Sequence, residues 1–197
     1  TPKPSSAASD VYKRQFLGEV VGFIVNLFLV IPGLPLMIVI AAYLQNGGIL
    51  MIIAVIVVTG WAWGARVLRS QTQSLRGNDF VTSAQFSGDS RARIVFREIL
   101  PNMTSIIAGT LFGAATAAIL AEAGLEFLGL GDSSIVSWGT MLYWAQNSNS
   151  LLTGQWLLLF APGLCIALLA LSLTLINFGV DGISNPRLRE GLSLIHI

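Results

Sequence analysis

The side chains best placed to make specific ionic contacts lie between residues 80 and 102, in the stretch FVTSAQFSGDSRARIVFREILPN. Arg91, Arg93 and Arg97 fall within it, and Arg66, Arg69 and Arg76 come shortly before. Long charge-free runs flank the region: residues 20–65, 99–121 and 133–180 contain no Asp, Glu, Lys or Arg. A structured basic segment between apolar runs either touches a partner on its side of a membrane or is held near anionic lipid. The second candidate group is Glu122 with Glu126, four apart and so on one helical face. A carboxylate inside a membrane is by default a functional candidate. Glu122 stands 18 residues after Thr104, about 27 Å along a helix rising 1.5 Å per residue. That depth approaches the far interface, where a carboxylate costs little. An interfacial or structural role is therefore favoured over a substrate pathway, with Glu126 nearly outside.

Other chemistries lack their residues. The only histidine, His196, lies at the extreme C-terminal end, so Ser-His and Cys-His nucleophiles and His/Cys metal sites are not expected. No G-x-x-x-x-G-K-[ST] phosphate loop occurs, and the chain is not expected to hydrolyse ATP itself or to carry a cofactor. The arginines flank apolar runs, which argues against nucleic acid as a partner. Cys165 is the only cysteine. It lies inside an apolar run, cannot form an internal disulfide, and is expected to be a small packing residue.

The elements that must position these groups are membrane helices. Hydrophobic residues make up 54% of the chain and charged residues 11%, with a mean hydropathy of +0.74. A span needs roughly 20 apolar residues. Four runs qualify or come close, at about residues 20–44, 49–65, 104–130 and 156–180. Backbone polar groups cannot stay unpaired in hydrocarbon, so the fold class is all-α, a polytopic transmembrane helical bundle. Pro32, Gly33 and Pro35 interrupt the first run, and Pro162 with Gly163 the last; a kink that aids packing is expected at each. Gly109 and Gly113 form a G-x-x-x-G pair suited to close helix contact.

Arginine placement orients the spans. Residues 45–48 and 131–155 carry no Lys or Arg, whereas residues 66–97 carry six and Arg187 and Arg189 follow the last run. Excess Lys and Arg marks the cytoplasmic side. The loop 66–103 and the C-terminus are thus expected in the cytoplasm of a plasma (inner) membrane protein, and residues 131–155 outside. Trp138, Tyr143, Trp144 and Trp156 lie in or beside that outer connection, as an aromatic belt would. Residues 1–15 and 191–197 read as a non-native leader and tail around a domain at 16–190.

Within the basic loop, Asn78 or Asp79 can cap a short helix over about residues 79–87, with Gly88 in the left-handed position just past its end. Asp89 or Ser90 can cap a second helix that Pro101 ends. Ile94, Val95, Ile99 and Leu100 would form its apolar side. Phe80 and Ala84, four apart, share a face.

These residues resemble the cytoplasmic EAA loop of binding-protein-dependent ABC transporter permeases. That pattern is Glu-Ala-Ala, three residues, Gly, then a short helix ending in Ile-Leu-Pro. Here Thr82-Ser83-Ala84 is followed by Gln85-Phe86-Ser87, then Gly88, and later by Ile99-Leu100-Pro101-Asn102. Thr82 replaces the acidic residue and Ser83 an alanine. ILAEAGLEFLGLG at residues 119–131, SWGTML at 137–142 and NPRLR at 185–189 extend the resemblance to the second permease of the peptide/nickel importer group. Such permeases carry six spans, and the four here resemble the last four.

The resemblance implies a loop that seats in a separate cytoplasmic ATPase subunit and passes its movement to the spans. It also implies a second permease subunit and an extracytoplasmic solute-binding protein, all around a lipid bilayer. The coupling residues would be Phe80, Thr82, Ser83, Ala84, Gly88, Asp89, Arg91, Arg93 and Pro101. Gly88, Ala84 and Phe80 would give close approach and apolar contact. Arg91 and Arg93 would pair with ATPase carboxylates or orient the loop at lipid headgroups. The substrate would be a peptide, a nickel chelate or an oligosaccharide. A secondary transporter or channel subunit without an ATPase is the alternative.

Overall fold

A computed structural model describes residues 4–44 and 48–184, so the expected tail at 191–197 and the NPRLR segment lie outside the described residues. The described chain is helical, with eight α-helices in chain order: α1 (Pro4–Val30), α2 (Gly33–Tyr43), α3 (Gly48–Leu75), α4 (Asp79–Phe86), the short α5 (Arg91–Arg93), α6 (Thr104–Phe127), α7 (Trp138–Asn147) and α8 (Leu157–Ser184). Helix α1 runs without a break through the expected leader boundary at residue 15.

Among the described residues, three helical stretches are each long and apolar enough to cross a membrane: Gly48–Leu75, Pro101–Phe127 and Leu157–Val180. The first run is different. Gln15–Val30 and Gly33–Tyr43 meet at 87°, a corner rather than the expected packing kink. Pro32 sits extended (φ −60°, ψ 116°) just before α2 and has no N–H to continue the ladder from α1, while Pro35 falls in the first turn of α2, where its missing N–H costs no helical bond. At Pro162 the opposite holds. Helix α8 continues through it as its sixth residue, with Pro162 buried, and forgoes the one i→i−4 bond that an N–H there would make to Leu158 O.

Helix α6 is the organiser: α3, α7 and α8 all pack against it, and α7 also packs on α8. One apolar core gathers Ala41 of α2, Met51, Ile52 and Val55 of α3, and Leu125 of α6. Phe28 of α1 meets Trp61 of α3 edge to face at 5.6 Å. Gly109 lets α8 approach closely, since a Cβ there would stand 3.3 Å from Asn177 Oδ1; its G-x-x-x-G partner Gly113 faces open space. Cys165 is exposed on α8 rather than packed. Most of the remaining apolar side chains on the spans point outward, as helices surrounded by hydrocarbon require.

Candidate functional site

The basic loop begins inside a span. Helix α3 continues past the apolar zone to Leu75, so Arg66 and Arg69 sit on its last turns and not on a loop. The chain then turns, with the Asn78 N–H donating to Leu75 O at 3.1 Å, and enters α4 at Asp79, whose charge suits a helix N-terminus.

The end of α4 follows from one residue. Gly88 takes φ +80°, the left-handed region that costs a residue with a Cβ strain but glycine nothing. The Gly88 N–H donates to Gln85 O and the Asp89 N–H to Ala84 O, each at 3.1 Å. This double closure satisfies the last carbonyls of α4 and reverses the chain. The next helix is capped at once. Ser90 Oγ accepts from the Arg93 N–H at 3.4 Å, and Arg93 reaches back to Asp89 at 2.7 Å.

The second helix ends just before Pro101, as expected, but its last turn is not α-helical. The chain goes through a wide π-helical turn at Ile94–Ile99 and a 3-10 turn at Pro101–Met103, and so passes into α6. The Leu100 N–H donates five residues back, to Val95 O at 2.8 Å. A proline has no N–H and its ring crowds the preceding turn, which a wider turn relieves. Asn102 Nδ2 donates to Glu98 O at 2.7 Å and keeps that carbonyl paired. The π turn also changes which side chains face inward. Ile94 and Ile99, five apart, are buried, while Val95 and Leu100 are 41% and 42% exposed and do not join the expected apolar side.

The result is a knob with its own core. Val81, Ile94, Ile99 and Met103 are buried together, with Phe80 and Ala84 half-buried against them. Leu68 and Leu75 of α3 and Ile107 of α6 complete the cluster, and Thr72 Oγ1 donates to Met103 Sδ at 3.4 Å. The knob is thereby joined to two spans. Of the residues singled out from the sequence, Phe80 and Ala84 turn toward this core. Thr82, Ser83, Gly88, Arg91, Arg93 and Pro101 are exposed, and Asp89 is partly buried beside Arg93. Sequence reasoning passed over Phe86, whose ring is 88% exposed at the tip of α4. Its signal was available: it lies three and four residues after Ser83 and Thr82, on their outward face.

Glu122 and Glu126 lie at the opposite end of α6. Glu126 is not nearly outside; it is 4% exposed. Ser137 Oγ donates to Glu126 Oε2, and Ser137 also caps α7, accepting from the Thr140 N–H at 3.0 Å. The chain can return over Glu126 only because two glycines line its path. A Cβ at Gly131 would stand 2.8 Å from Glu126 Cγ, and one at Gly139 would stand 2.8 Å from Glu126 Cβ. Gly129, at φ +77°, starts that return and leaves room for the Tyr143 ring. Glu126 thus pins the start of α7 to the end of α6, while Glu122, one turn earlier, is only half-buried. Asp132 in the return accepts from the Ser134 hydroxyl and N–H at 2.6 and 2.9 Å, which holds its carboxyl below the usual carboxylate range.

Residues 4–190 match the family described as binding-protein-dependent transport system inner membrane component. The chain is 30% identical over 176 residues to the dipeptide transport system permease protein DppC of Bacillus subtilis (strain 168), covering 88% of this chain and 54% of that one. It is 38% identical over 136 residues to the oligopeptide transport system permease protein OppC of Salmonella typhimurium, covering 68% and 43%. Identity to the OppC of Mycobacterium bovis is 32% over 149 residues, covering 75% and 50%. The chain spans about half the length of the curated relatives it matches.

Proposed function

The chain belongs to the binding-protein-dependent transport system inner membrane component family, and from that premise we propose that it is a permease subunit of an ATP-driven importer whose knob at residues 80–101 couples it to a separate ATPase. The observation that carries this reading is the knob's attachment. Its core is shared with Leu68 and Leu75 of α3 and Ile107 of α6, so a push on its surface moves the ends of two spans together. A coupling element needs that rigidity, joined to helices that can shift between two arrangements. The outward residues Thr82, Ser83, Phe86 and Arg91 offer the partner an apolar ring, small side chains and one guanidinium.

The substrate class follows from the relatives, whose names specify dipeptides and oligopeptides; peptides are the proposed cargo. A second permease subunit and an extracytoplasmic solute-binding protein complete the assembly. The domain is proposed to occupy residues 16–190. The arginines of residues 66–97 support a cytoplasmic knob and C-terminus, with α7 on the outer side.

The test is Gly88→Val in the complete transporter. A branched side chain at φ +80° strains the turn that separates α4 from the second helix. Peptide uptake into reconstituted vesicles should be abolished while membrane insertion is kept, and ATPase co-purification should fall. Arg91→Ala should do less, since an exposed ion pair contributes only about 0–1 kcal/mol. Normal uptake with normal ATPase retention in Gly88→Val would show that the knob is not the coupling element. Uptake that persists with no ATPase present would favour a secondary transporter.

A further inference from the structure

We propose that the groove between α1 and α3 at the charged edge of the apolar zone is a binding site for the phosphate of an anionic phospholipid, held by Arg66 and Arg69. The groove encloses a cavity of about 530 Å³ lined by Gly18, Glu19, Gly22, Asn26, Arg66 and Arg69, among others. Its position along the membrane normal can be read from the chain. Residues 20–65 carry no charge, and the charged residues that bound this run, Glu19 and Arg66, line the same cavity. The cavity therefore lies where both helices pass from hydrocarbon to water, the level at which lipid phosphates sit.

Its chemistry matches that level. Arg66 and Arg69 are three apart and share a face of α3. Among the described residues neither has an ion-pair partner, the one such pair being Arg93 with Asp89. Glu19, the only carboxylate among the described residues that line the cavity, accepts from Gln15 Nε2 at 3.2 Å. Ser70, Gln73 and Asn26 add polar groups, and Phe23 and Val25 lie on the apolar side. The floor is shaped for a guanidinium. Gly18 and Gly22 lie one turn apart on α1, and a Cβ at Gly22 would stand 2.8 Å from Arg69 Nη1. The missing side chains let the Arg69 guanidinium lie against the α1 backbone. Two arginines side by side, neither ion-paired among the described residues, at phosphate depth, form a fork for a phosphodiester. The same groups would accept a free phosphate, but the apolar side of the cavity, continuous with the span surface, is suited to an acyl chain.

The test is thermal unfolding of the purified chain in detergent, titrated with phosphatidylglycerol, phosphatidylcholine or inorganic phosphate. Phosphatidylglycerol alone should give a saturable rise in the midpoint, as a ligand of the folded state does. Arg66→Gln with Arg69→Gln should reduce that rise by roughly twofold or more, and Arg97→Gln, which removes a charge elsewhere, should leave it intact. Gly22→Ala keeps both charges but displaces the guanidinium. It should weaken the phosphatidylglycerol effect with an unchanged midpoint in phosphatidylcholine, and so serves even if the double variant does not fold. An equal rise with phosphatidylcholine, an equal rise with inorganic phosphate, or an equal loss in Arg97→Gln would overturn the proposal. So would a full rise in the double variant, above all if that variant sheds a co-purifying membrane subunit, which would make the groove a protein contact.

Discussion

Glycine matters in this chain for two separable reasons, and they predict different outcomes. At Gly88 a Cβ would meet nothing within 4 Å, and only the positive φ resists substitution. At Gly139 the backbone is ordinary, but a Cβ would stand 2.8 Å from Glu126 Cβ and Oε2 and 2.9 Å from Ala123 Cα. Part of that obstacle is backbone and cannot swing aside, so Gly139→Ala is expected to destabilise by about 1–3 kcal/mol through overpacking. Gly113→Ala, on the same span system with nothing within 4 Å, should be neutral or stabilising by about 0.5–1 kcal/mol from helix propensity. Paired thermal melts in detergent measure both; equal effects would show that the Glu126 pin is not tightly packed. The role of Gly88 was legible from local residue types, because a helix end and its left-handed turn need only the residues around them. The burial of Glu126 was not. It depends on Gly131, Ser137 and Gly139 returning over α6, and the spacing of carboxylates along one helix carries no trace of that return.

Among the elements, helix existence was readable and helix type was not. Three of the four apolar runs became α3, α6 and α8, since length and charge-free composition decide whether a segment can cross a membrane, and the first became the bent pair α1 and α2. The boundaries moved where polar residues prolong a helix, as Arg66 and Arg69 do on α3. The π turn at Ile94–Ile99 escaped because a 3.6-residue period assumes the α form. Pro101 widens the preceding turn, and Ile94 then pairs with Ile99 in the knob core. The two connections at opposite ends of α6 also give a topological prediction. Ser90 and Ser148 are both exposed, and so is Cys165. Single cysteines at 90 and 148 in a Cys165→Ala background should therefore react oppositely with an impermeant thiol reagent in intact cells, with position 148 labelled from outside. Labelling of position 90 from outside would reverse the orientation and take the knob away from the side proposed for the ATPase.

For the molecule as a whole, the absence of a phosphate loop in the sequence predicts that the purified chain has no ATPase activity above background. Hydrolysis by a preparation shown to contain no other ATPase would contradict the division of labour proposed above. How such a molecule moves is constrained by where its two cores lie. Helix α3 contributes Ile52 and Val55 to one core and Leu68 and Leu75 to the other. Helix α6 contributes Leu125 and Ile107 to the same two. From Ile52 to Leu75 the helix rise is about 35 Å, close to the thickness of the hydrocarbon layer. The two helices are therefore a pair of struts bolted together at both ends, and a strut fixed at both ends cannot splay without breaking a core. An alternating-access movement started at the knob would carry this frame as one rigid body. The hinge must then lie outside it, at the 87° corner between α1 and α2 or along whatever surface the frame slides against.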